Sequence, residues 1–328
     1  MQKSQINSET THGNFQLEKV LKDLFDETLG RYPGNIYYAV KSTEDYYANF
    51  YNTFYKKYQD NSVTIHNSIQ AAVDAATADR GDLVLVMPGK WQENVLVFEK
   101  DSLKIRAVMP GWETQMRPGD GATKYPMTTP GGVAIPGFAF VILSRSVELS
   151  GFCLDEGGGY GGAYIGDGYR IDTDYGENSA SANIHDNYFR GGGEGLVGAL
   201  LDGASDDVHI DDNIFSQMDV GVQLDPGGDR TTQRPVIRRN EFFAENAGYG
   251  IDMYSSATTV GALVRGNTFR DGASAAFTYG VRFQGAGVHT LAGNFFACAN
   301  KWSGAAGDFI SGNFGANGAD GTEVVSEA

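Results

Sequence analysis

The chain has 328 residues, of which 44 are Gly, 9 are Pro and 41% are hydrophobic. This length suits one large domain with an appendage or two modest domains, and the composition argues against a helical bundle and against a disordered chain. The formal net charge of −16 repels phosphate backbones, so nucleic acid is not an expected partner. A membrane is not expected either, because no apolar stretch approaches the about 20 residues that a membrane span needs.

Residues 1–61 are predicted to form an N-terminal helical and aromatic arm outside the main domain. Apolar side chains recur at helical spacing in residues 15–29 and again in the Tyr-rich stretch that follows. A soluble monomer rarely exposes that much apolar surface. The arm therefore either folds back on the main domain or docks on a partner or a sister subunit. The residues assigned to assembly are Val20, Leu24, Phe25, Tyr47, Phe50, Phe54 and Tyr58.

A cap helix is predicted over residues 68–78, directly after the arm. Its sequence SIQAAVDAATA has an apolar helical stripe and opens with Ser68, a favourable N-cap residue. Two strand-like segments follow, at Leu83 and Leu103, and each ends in Met-Pro-Gly. This order indicates a helix that covers the open end of a solenoid.

The second half of the chain repeats with a period of about 27 residues. The phrases IHDNYF, IDDNIF, IRRNEF, VRGNTF and LAGNFF each centre on an Asn that is followed two positions later by Phe, and a weaker copy surrounds Asn313. Short strands of this kind bury their apolar faces by stacking on the next coil. The expected structural ladder, with each Asn at a bend in left-handed backbone, consists of Asn187, Asn213, Asn240, Asn267, Asn294, Phe189, Phe215, Phe242, Phe269 and Phe296.

The segment from Thr64 to Val97 resembles the start of the pectate-lyase-like right-handed parallel β-helix superfamily. The likeness lies in the cap helix, the strand and the turn that carries Pro88, Gly89, Trp91, Glu93 and Val95. It extends to about Phe314 and implies an all-β solenoid. The superfamily includes lyases, hydrolases, epimerases, esterases and viral spike proteins, so the resemblance implies a fold and not an activity.

Charged residues directly before the repeated Asn are the weak catalytic candidates. They are Asp186, Asp211, Asp212, Arg238 and Arg239. Such residues either form a solvated ladder of ion pairs that fixes the register or supply the two carboxylates of a glycosidase, about 6.5–9.5 Å apart. The pair Asp211–Asp212 is similar to the paired acids of polygalacturonases, but the Gly-His-Gly and Arg-x-Lys elements of that family are missing. No metal site and no cofactor are predicted, because the five His lack metal-ligand spacing.

The sequence thus predicts three parts: the arm (1–61), a parallel β-helix (62–315) and a flexible C-terminal tail (316–328). The polar start MQKSQINSETTHG shows no secretion signal. We expect a virion structural protein, a phage spike or capsid decoration protein made in the host cytoplasm and attached through the arm. A homotrimer, capsid or other virion proteins and host-surface polysaccharide are the expected partners. The alternatives are a polysaccharide lyase or hydrolase, and a cellular adhesin or surface-layer protein.

Overall fold

The computed structural model describes residues 34–41, 63–117, 127–128, 134–135, 137–156, 161–166, 179–191, 197–203, 205–225, 231–244, 248–253, 258–272, 276–283, 288–303 and 309–315. These residues form short strands, numbered β1 to β30 in chain order, and one helix, α1 (Ile69–Ala75). No helix in these ranges is long and apolar enough to cross a membrane.

Parallel strands stack coil on coil to form three walls. In the first wall the spatial order is β2 (Val63–His66), β1 (Ile36–Ala39), β3 (Leu83–Val86), β6 (Lys104–Met116), β10 (Glu148–Glu156), β12 (Asn183–His185), β15 (His209–Asp211), β19 (Val236–Arg238), β23 (Leu263–Arg265), β26 (Thr290–Ala292) and β29 (Phe309–Ser311).

The second wall follows the repeated Asn in each coil. It contains β4 (Gly89–Trp91), the later parts of β6 and β10, β13 (Tyr188–Gly191), β16 (Ile214–Ser216), β20 (Glu241–Ala244), β24 (Thr268–Asp271), β27 (Phe295–Ala297) and β30 (Phe314–Gly315).

The third wall is an eight-stranded parallel sheet. Its strands are β5 (Val95–Val97), β9 (Phe140–Ile142), β11 (Ala163–Ile165), β14 (Val197–Leu201), β17 (Val220–Leu224), β21 (Tyr249–Met253), β25 (Tyr279–Phe283) and β28 (Trp302–Ser303). Two small pairs complete the described strands: β7 (Met127–Thr128) with β8 (Ala134–Ile135), and β18 (Thr231–Gln233) with β22 (Thr258–Val260).

The predicted cap helix is present as α1, and the side chain of Ser68 accepts a hydrogen bond from the backbone N–H of Ala71 at 3.1 Å. The buried side chains of α1, Ile69, Ala72 and Val73, join the central core. Glu93 holds the helix in place, since its carboxylate accepts hydrogen bonds from the backbone N–H groups of Ile69 and Gln70.

One part of the predicted domain boundary is wrong. The sequence interpretation placed all of residues 1–61 outside the solenoid, but Ile36–Ala39 forms β1, which lies between β2 and β3 in the first wall. The four residues IYYA are apolar and aromatic, as suits a buried strand. These residues lie outside the 27-residue repeat, so the periodicity of the sequence did not reveal them as a strand of the solenoid.

The repeated Phe residues form a column inside the solenoid. The Phe rings of consecutive coils stack with centroid separations of 4.6–4.9 Å and interplanar angles of 5–11°. A column of Gly faces this stack: a Cβ added at Gly221 would lie 2.6 Å from the Phe242 ring, and one at Gly250 would lie 2.7 Å from the Phe269 ring. The Gly residues near the start of the third-wall strands are therefore required by the Phe rings opposite them.

The Asn column is also present, but its backbone differs from the prediction. The Asn side chains of consecutive coils bond to one another; the side-chain oxygen Oδ1 of Asn240 accepts from both the backbone N–H and the side-chain amide of Asn213. Left-handed backbone occurs one residue earlier, at Asp186, Asp212, Arg239, Gly266, Gly293 and Gly312. The preceding residue makes the bend, and this turns the Asn side chain into the stack.

Candidate functional site

The five weak catalytic candidates lie together on the outer side of the turn between the first and second walls. Arg238 binds Asp211 through two hydrogen bonds of 2.9 and 2.8 Å, and Arg239 binds Asp212 through two of 2.7 and 2.6 Å. Asp212 and Arg239 are solvated, as predicted, whereas the Asp211 side chain is only 6% exposed. Asp211 therefore depends on Arg238 for the compensation of a mostly buried charge.

A second charged cluster continues this column toward α1. The His185 ring lies with Nε2 3.4 Å from the Glu148 carboxylate and with Nδ1 2.7 Å from the Asp186 carboxylate. Arg106 and Lys104 also pair with Glu148. Sequence reasoning missed Glu148, Arg106 and Lys104 because the strands that carry them precede the regular repeat.

The protonation of these groups suits ion pairing. The hydrogen bond with Glu148 raises the pKa of His185. Burial alone would raise the pKa of Glu148, but His185, Arg106 and Lys104 outweigh it and lower that pKa to about 2. The hydrogen bond from Arg239 likewise lowers the pKa of Asp212. Carboxyl groups held in the ionised form by cations are poor general acids near neutral pH, so this arrangement favours the structural interpretation of the column.

A different kind of surface lies on the outer side of the second wall. Trp112 is 55% exposed, and its ring centroid is 5.1 Å from that of Tyr188. The Arg190 guanidinium lies 5.2 Å over the same Trp ring and donates a hydrogen bond to the Gln217 side chain at 3.1 Å. An indole, a phenol and a planar cation thus form an open platform.

This platform continues along the solenoid. Arg190, Ser216, Phe243 and Arg270 occupy one outward column of successive coils, and the Arg270 guanidinium lies 5.8 Å over the Phe243 ring. We call Trp112, Tyr188, Arg190, Phe243 and Arg270 the aromatic–arginine surface. The neighbouring outward column adds three exposed apolar side chains, Ile214, Phe295 and Phe314.

The Trp112 position was missed by sequence reasoning, which expected a turn at Pro110–Gly111. Instead β6 continues through these residues, and Gly111 has a φ of +81° where the pairing register with β10 shifts. This irregularity carries Trp112 onto the second wall beside Tyr188. No repeated residue marks it, and the one available signal was a Trp next to a Gly in a sequence with 3 Trp.

Aromatic faces and planar hydrogen-bonding groups suit a particular ligand chemistry. An aromatic face carries partial negative charge and so attracts the C–H groups of a sugar ring, while guanidinium and amide groups bind hydroxyl and carboxylate oxygens. Successive coils repeat at about 4.8 Å, close to the length of one sugar unit in an extended chain. The surface therefore matches a chain of sugars better than a single compact molecule.

Residues 159–296 match the family model described as "Right handed beta helix region". The solenoid is a right-handed parallel β-helix. The matched residues cover the β-helix from the glycines before β11 to β27, and none of the curated proteins matches the chain in sequence.

Solved structures similar to this β-helix have diverse activities. Rice weevil pectin methyl esterase is 13% identical, with 87% of this chain and 99% of that chain covered and a TM-score of 0.44. The tailspike protein of E. coli bacteriophage HK620, in complex with a pentasaccharide, is 11% identical, with 77% and 51% covered and a TM-score of 0.43. Alginate lyase from Paenibacillus sp. str. FPU-7 is 12% identical, with 74% and 96% covered and a TM-score of 0.37. These similarities do not assign any one of these activities to this protein.

The predicted assembly residues Val20, Leu24, Phe25, Tyr47, Phe50, Phe54 and Tyr58 lie outside the described residues, as does the predicted tail at 316–328. Their assignment to assembly stays a prediction.

Proposed function

We propose that this β-helix binds an extended polysaccharide along its aromatic–arginine surface, as a spike or decoration protein of a virion. The observation that carries the glycan-binding part is the platform of Trp112, Tyr188 and Arg190. A Trp side chain that is 55% exposed, with a Tyr ring tilted against it at 51° and an Arg guanidinium over its ring, does not contribute to the central core. Its flat, open face is available to a ligand.

The electrostatics of the site favour a neutral or weakly acidic ligand. The whole chain carries a net charge of −16, but the aromatic–arginine surface presents two guanidinium groups that lie over aromatic rings. Neutral or weakly acidic glycans therefore meet attraction here and repulsion over much of the remaining surface.

The virion part of the proposal rests on the sequence: an aromatic-rich N-terminal region precedes a β-helix whose conspicuous acids are ion-paired. A trimer attached to capsid or other virion proteins is part of this proposal. The rival is a polysaccharide lyase or hydrolase, and the observation that favours it is the hydrogen-bond-distance contact between a base and an acid, His185 and Glu148.

The test is glycan-array and calorimetric binding with the full-length protein and the variants Trp112→Ala and Tyr188→Ala. Loss of one stacking partner should weaken binding to any polysaccharide ligand by about tenfold, since such contacts contribute about 1–2 kcal/mol. The matched control is Val288→Ala, which shortens another exposed apolar side chain away from the second wall and should leave affinity unchanged.

Equal affinity of the Trp112→Ala variant and the unmodified protein would contradict this location of the site. The same incubations, assayed for new reducing or unsaturated ends, separate binding from catalysis. Products that disappear in the His185→Gln variant would establish the enzyme reading instead.

A further inference from the structure

The two arginines of the aromatic–arginine surface belong to the same outward column of the second wall. From β13 to β24 this column holds Arg190, Ser216, Phe243 and Arg270 in successive coils. The two arginines are therefore three coils apart, about 14 Å along the axis of the solenoid. The two residues between them carry no charge.

Each of these arginines is positioned by an aromatic ring. The Arg190 guanidinium lies 5.2 Å over the Trp112 ring and donates a hydrogen bond from Nε to the Gln217 side chain. The Arg270 guanidinium lies 5.8 Å over the Phe243 ring. A guanidinium carries its N–H donors at the edge of its plane, where they match the two oxygens of a carboxylate. The surface thus repeats one unit, a ring with a guanidinium, at an interval of three coils.

An acidic residue lies between the two arginines in the neighbouring outward column. Glu241 belongs to β20, two coils after Arg190 and one coil before Arg270, and its side chain is partly exposed. A ligand carboxylate at the level of Glu241 would therefore meet a like charge, whereas one at the level of either arginine would meet an opposite charge. The pattern of charge along the axis is positive, negative, positive.

Two other acids of these coils are engaged by the protein itself. Asp155 pairs with Arg190 in the ladder of strands, but it is only 8% exposed, and its carboxylate accepts a hydrogen bond from the Gln115 amide. Asp271, the residue after Arg270, accepts hydrogen bonds from two backbone N–H groups. These contacts hold both carboxylates to groups of the protein at the two ends of the arginine column.

We propose that the aromatic–arginine surface selects a polysaccharide with sparse acidic sugars, in which a carboxylate recurs at about every third sugar. This inference rests on the proposed glycan binding and names the class of ligand. One coil is close to the length of one sugar in an extended chain, so carboxylates three sugars apart reach Arg190 and Arg270 together. The sugars between them are uncharged where the chain passes Glu241.

The same arrangement discriminates against polyuronates, which carry a carboxylate on every sugar. Such a chain places a carboxylate at the level of Glu241 whenever two others reach Arg190 and Arg270. The net charge of −16 adds repulsion of longer range against a densely charged polyanion. Specificity thus comes from attraction in two coils and repulsion in a coil between them.

The experiment is calorimetric binding to the full-length protein with three probes. They are a linear polysaccharide with one glucuronic acid in each trisaccharide repeat, the same polymer after reduction of its carboxyl groups, and polygalacturonate. At low salt the first polymer should bind about tenfold more tightly than either of the others, because only it satisfies both arginines without facing Glu241. The preference should shrink as salt is added, since charges on an exposed surface are screened.

Two variants separate the attractive and the repulsive parts. Arg270→Gln should lower the affinity for the acidic polymer about five- to tenfold and leave that for its carboxyl-reduced form unchanged. Glu241→Gln should raise the affinity for polygalacturonate about three- to fivefold at low salt. The matched control is Glu99→Gln, which removes the same charge from an exposed residue just after β5 in the third wall and should change none of these affinities.

Equal affinity for the acidic and carboxyl-reduced polymers, with binding still weakened by Trp112→Ala, would overturn this inference and leave the proposed glycan binding intact. Polygalacturonate that binds as tightly as the sparsely acidic polymer, with no effect of Glu241→Gln, would overturn it in the same way. Failure of all three polymers to bind would contradict the proposed glycan binding and this inference with it.

Discussion

At the scale of single residues, the Asn column shows why one side chain recurs. Each amide both accepts and donates: Asn240 accepts from Asn213 and donates to the Ile210 carbonyl and to Asn267. The side chain is nearly inaccessible to water, so these bonds replace hydration at a bend where the ladder of backbone bonds is interrupted. An aspartate would lack the donors, and a glutamine would not fit the same distance.

Replacing Asn240 with Ala should lower the free energy of unfolding by about 2–4 kcal/mol, because buried donors and acceptors in two neighbouring coils lose their partner. Chemical denaturation measures this. Asn183→Ala is the matched control, since Asn183 is only partly buried and its side-chain oxygen has no hydrogen-bond partner; it should change stability little. Equal effects of the two substitutions would contradict the role assigned to the Asn column.

The contacts of His185 predict a pH dependence. Because the folded-state pKa of His185 is raised, its protonated ring stabilises the fold. This stabilisation is complete below the unfolded-state pKa of 6.5 and is lost as the pH rises through the folded-state pKa. The lowered pKa of Glu148, about 2 against 4.5, stabilises the fold above pH 4.5, and that contribution is lost as the pH falls toward 2. The combined stabilisation by His185 and Glu148 is therefore greatest between pH 4.5 and pH 6.5, the two unfolded-state pKa values.

His185→Gln should therefore cost most stability, roughly 1 kcal/mol for a partly solvated cluster, between pH 4.5 and 6.5, and less at alkaline pH. Denaturation curves at a series of pH values measure the difference. The stability change caused by Asn183→Ala should not vary with pH in the same way. A His185→Gln effect that is flat from acid to alkaline pH would show that the imidazolium does not stabilise this cluster.

At the scale of elements, the Phe and Gly columns depend on each other. Each ring of the Phe column lies against a Gly near the start of a third-wall strand, and that Gly also lies close to a backbone carbonyl of the next coil. The walls thus approach closely where one residue is large and the other has no side chain. This pairing explains why the two columns run in phase through the sequence.

Gly221→Ala should destabilise the protein by about 1–3 kcal/mol through overpacking, because the new Cβ would lie 2.6 Å from both Phe242 and the Gly250 carbonyl oxygen. Gly266→Ala is the control: its added Cβ meets nothing within 4 Å, so only its φ of +65° opposes the change. Phe242→Ala should cost about 3–5 kcal/mol. Thermal and denaturant unfolding measure the stability of all three variants. The close packing of Gly221 against Phe242 would be contradicted if Gly221→Ala destabilised the protein no more than Gly266→Ala does.

At the scale of the whole molecule, β1 alters the expected effect of truncation. Were residues 1–61 only an appendage, their removal would leave a folded β-helix. Because Ile36–Ala39 pairs with both β2 and β3, removing it separates β2 from the wall and exposes Leu83 and Leu85.

We therefore expect deletion of residues 1–33 to leave strand content and melting temperature nearly unchanged. Deletion of residues 1–61 should yield an aggregated or partly unfolded protein. Circular dichroism and light scattering of both truncations measure this. A soluble, cooperatively melting protein that lacks residues 1–61 would show that β1 is dispensable.

The sequence predicted the regular coils well and the ends of the solenoid poorly, for a physical reason. A strand that pairs with its equivalent in the next coil needs the same residue there, so Asn213, Phe215 and their counterparts repeat visibly. Ile36–Ala39 and Trp112 lie outside the regular copies of the Asn and Phe repeat, so no periodicity reveals them. The left-handed bend was assigned to Asn rather than to its predecessor, because the preceding position holds Asp, Arg or Gly in different coils and so shows no single repeated residue.

The uniform coils from Asn187 to Asn294 have a consequence for how such a protein changes its length. Deletion or duplication of one repeat would join Asn to Asn and Phe to Phe across the new junction. The molecule would shorten or lengthen by about 4.8 Å while α1 and the final coil stay the same. The length of the solenoid can thus change by whole coils while both of its ends keep their structure.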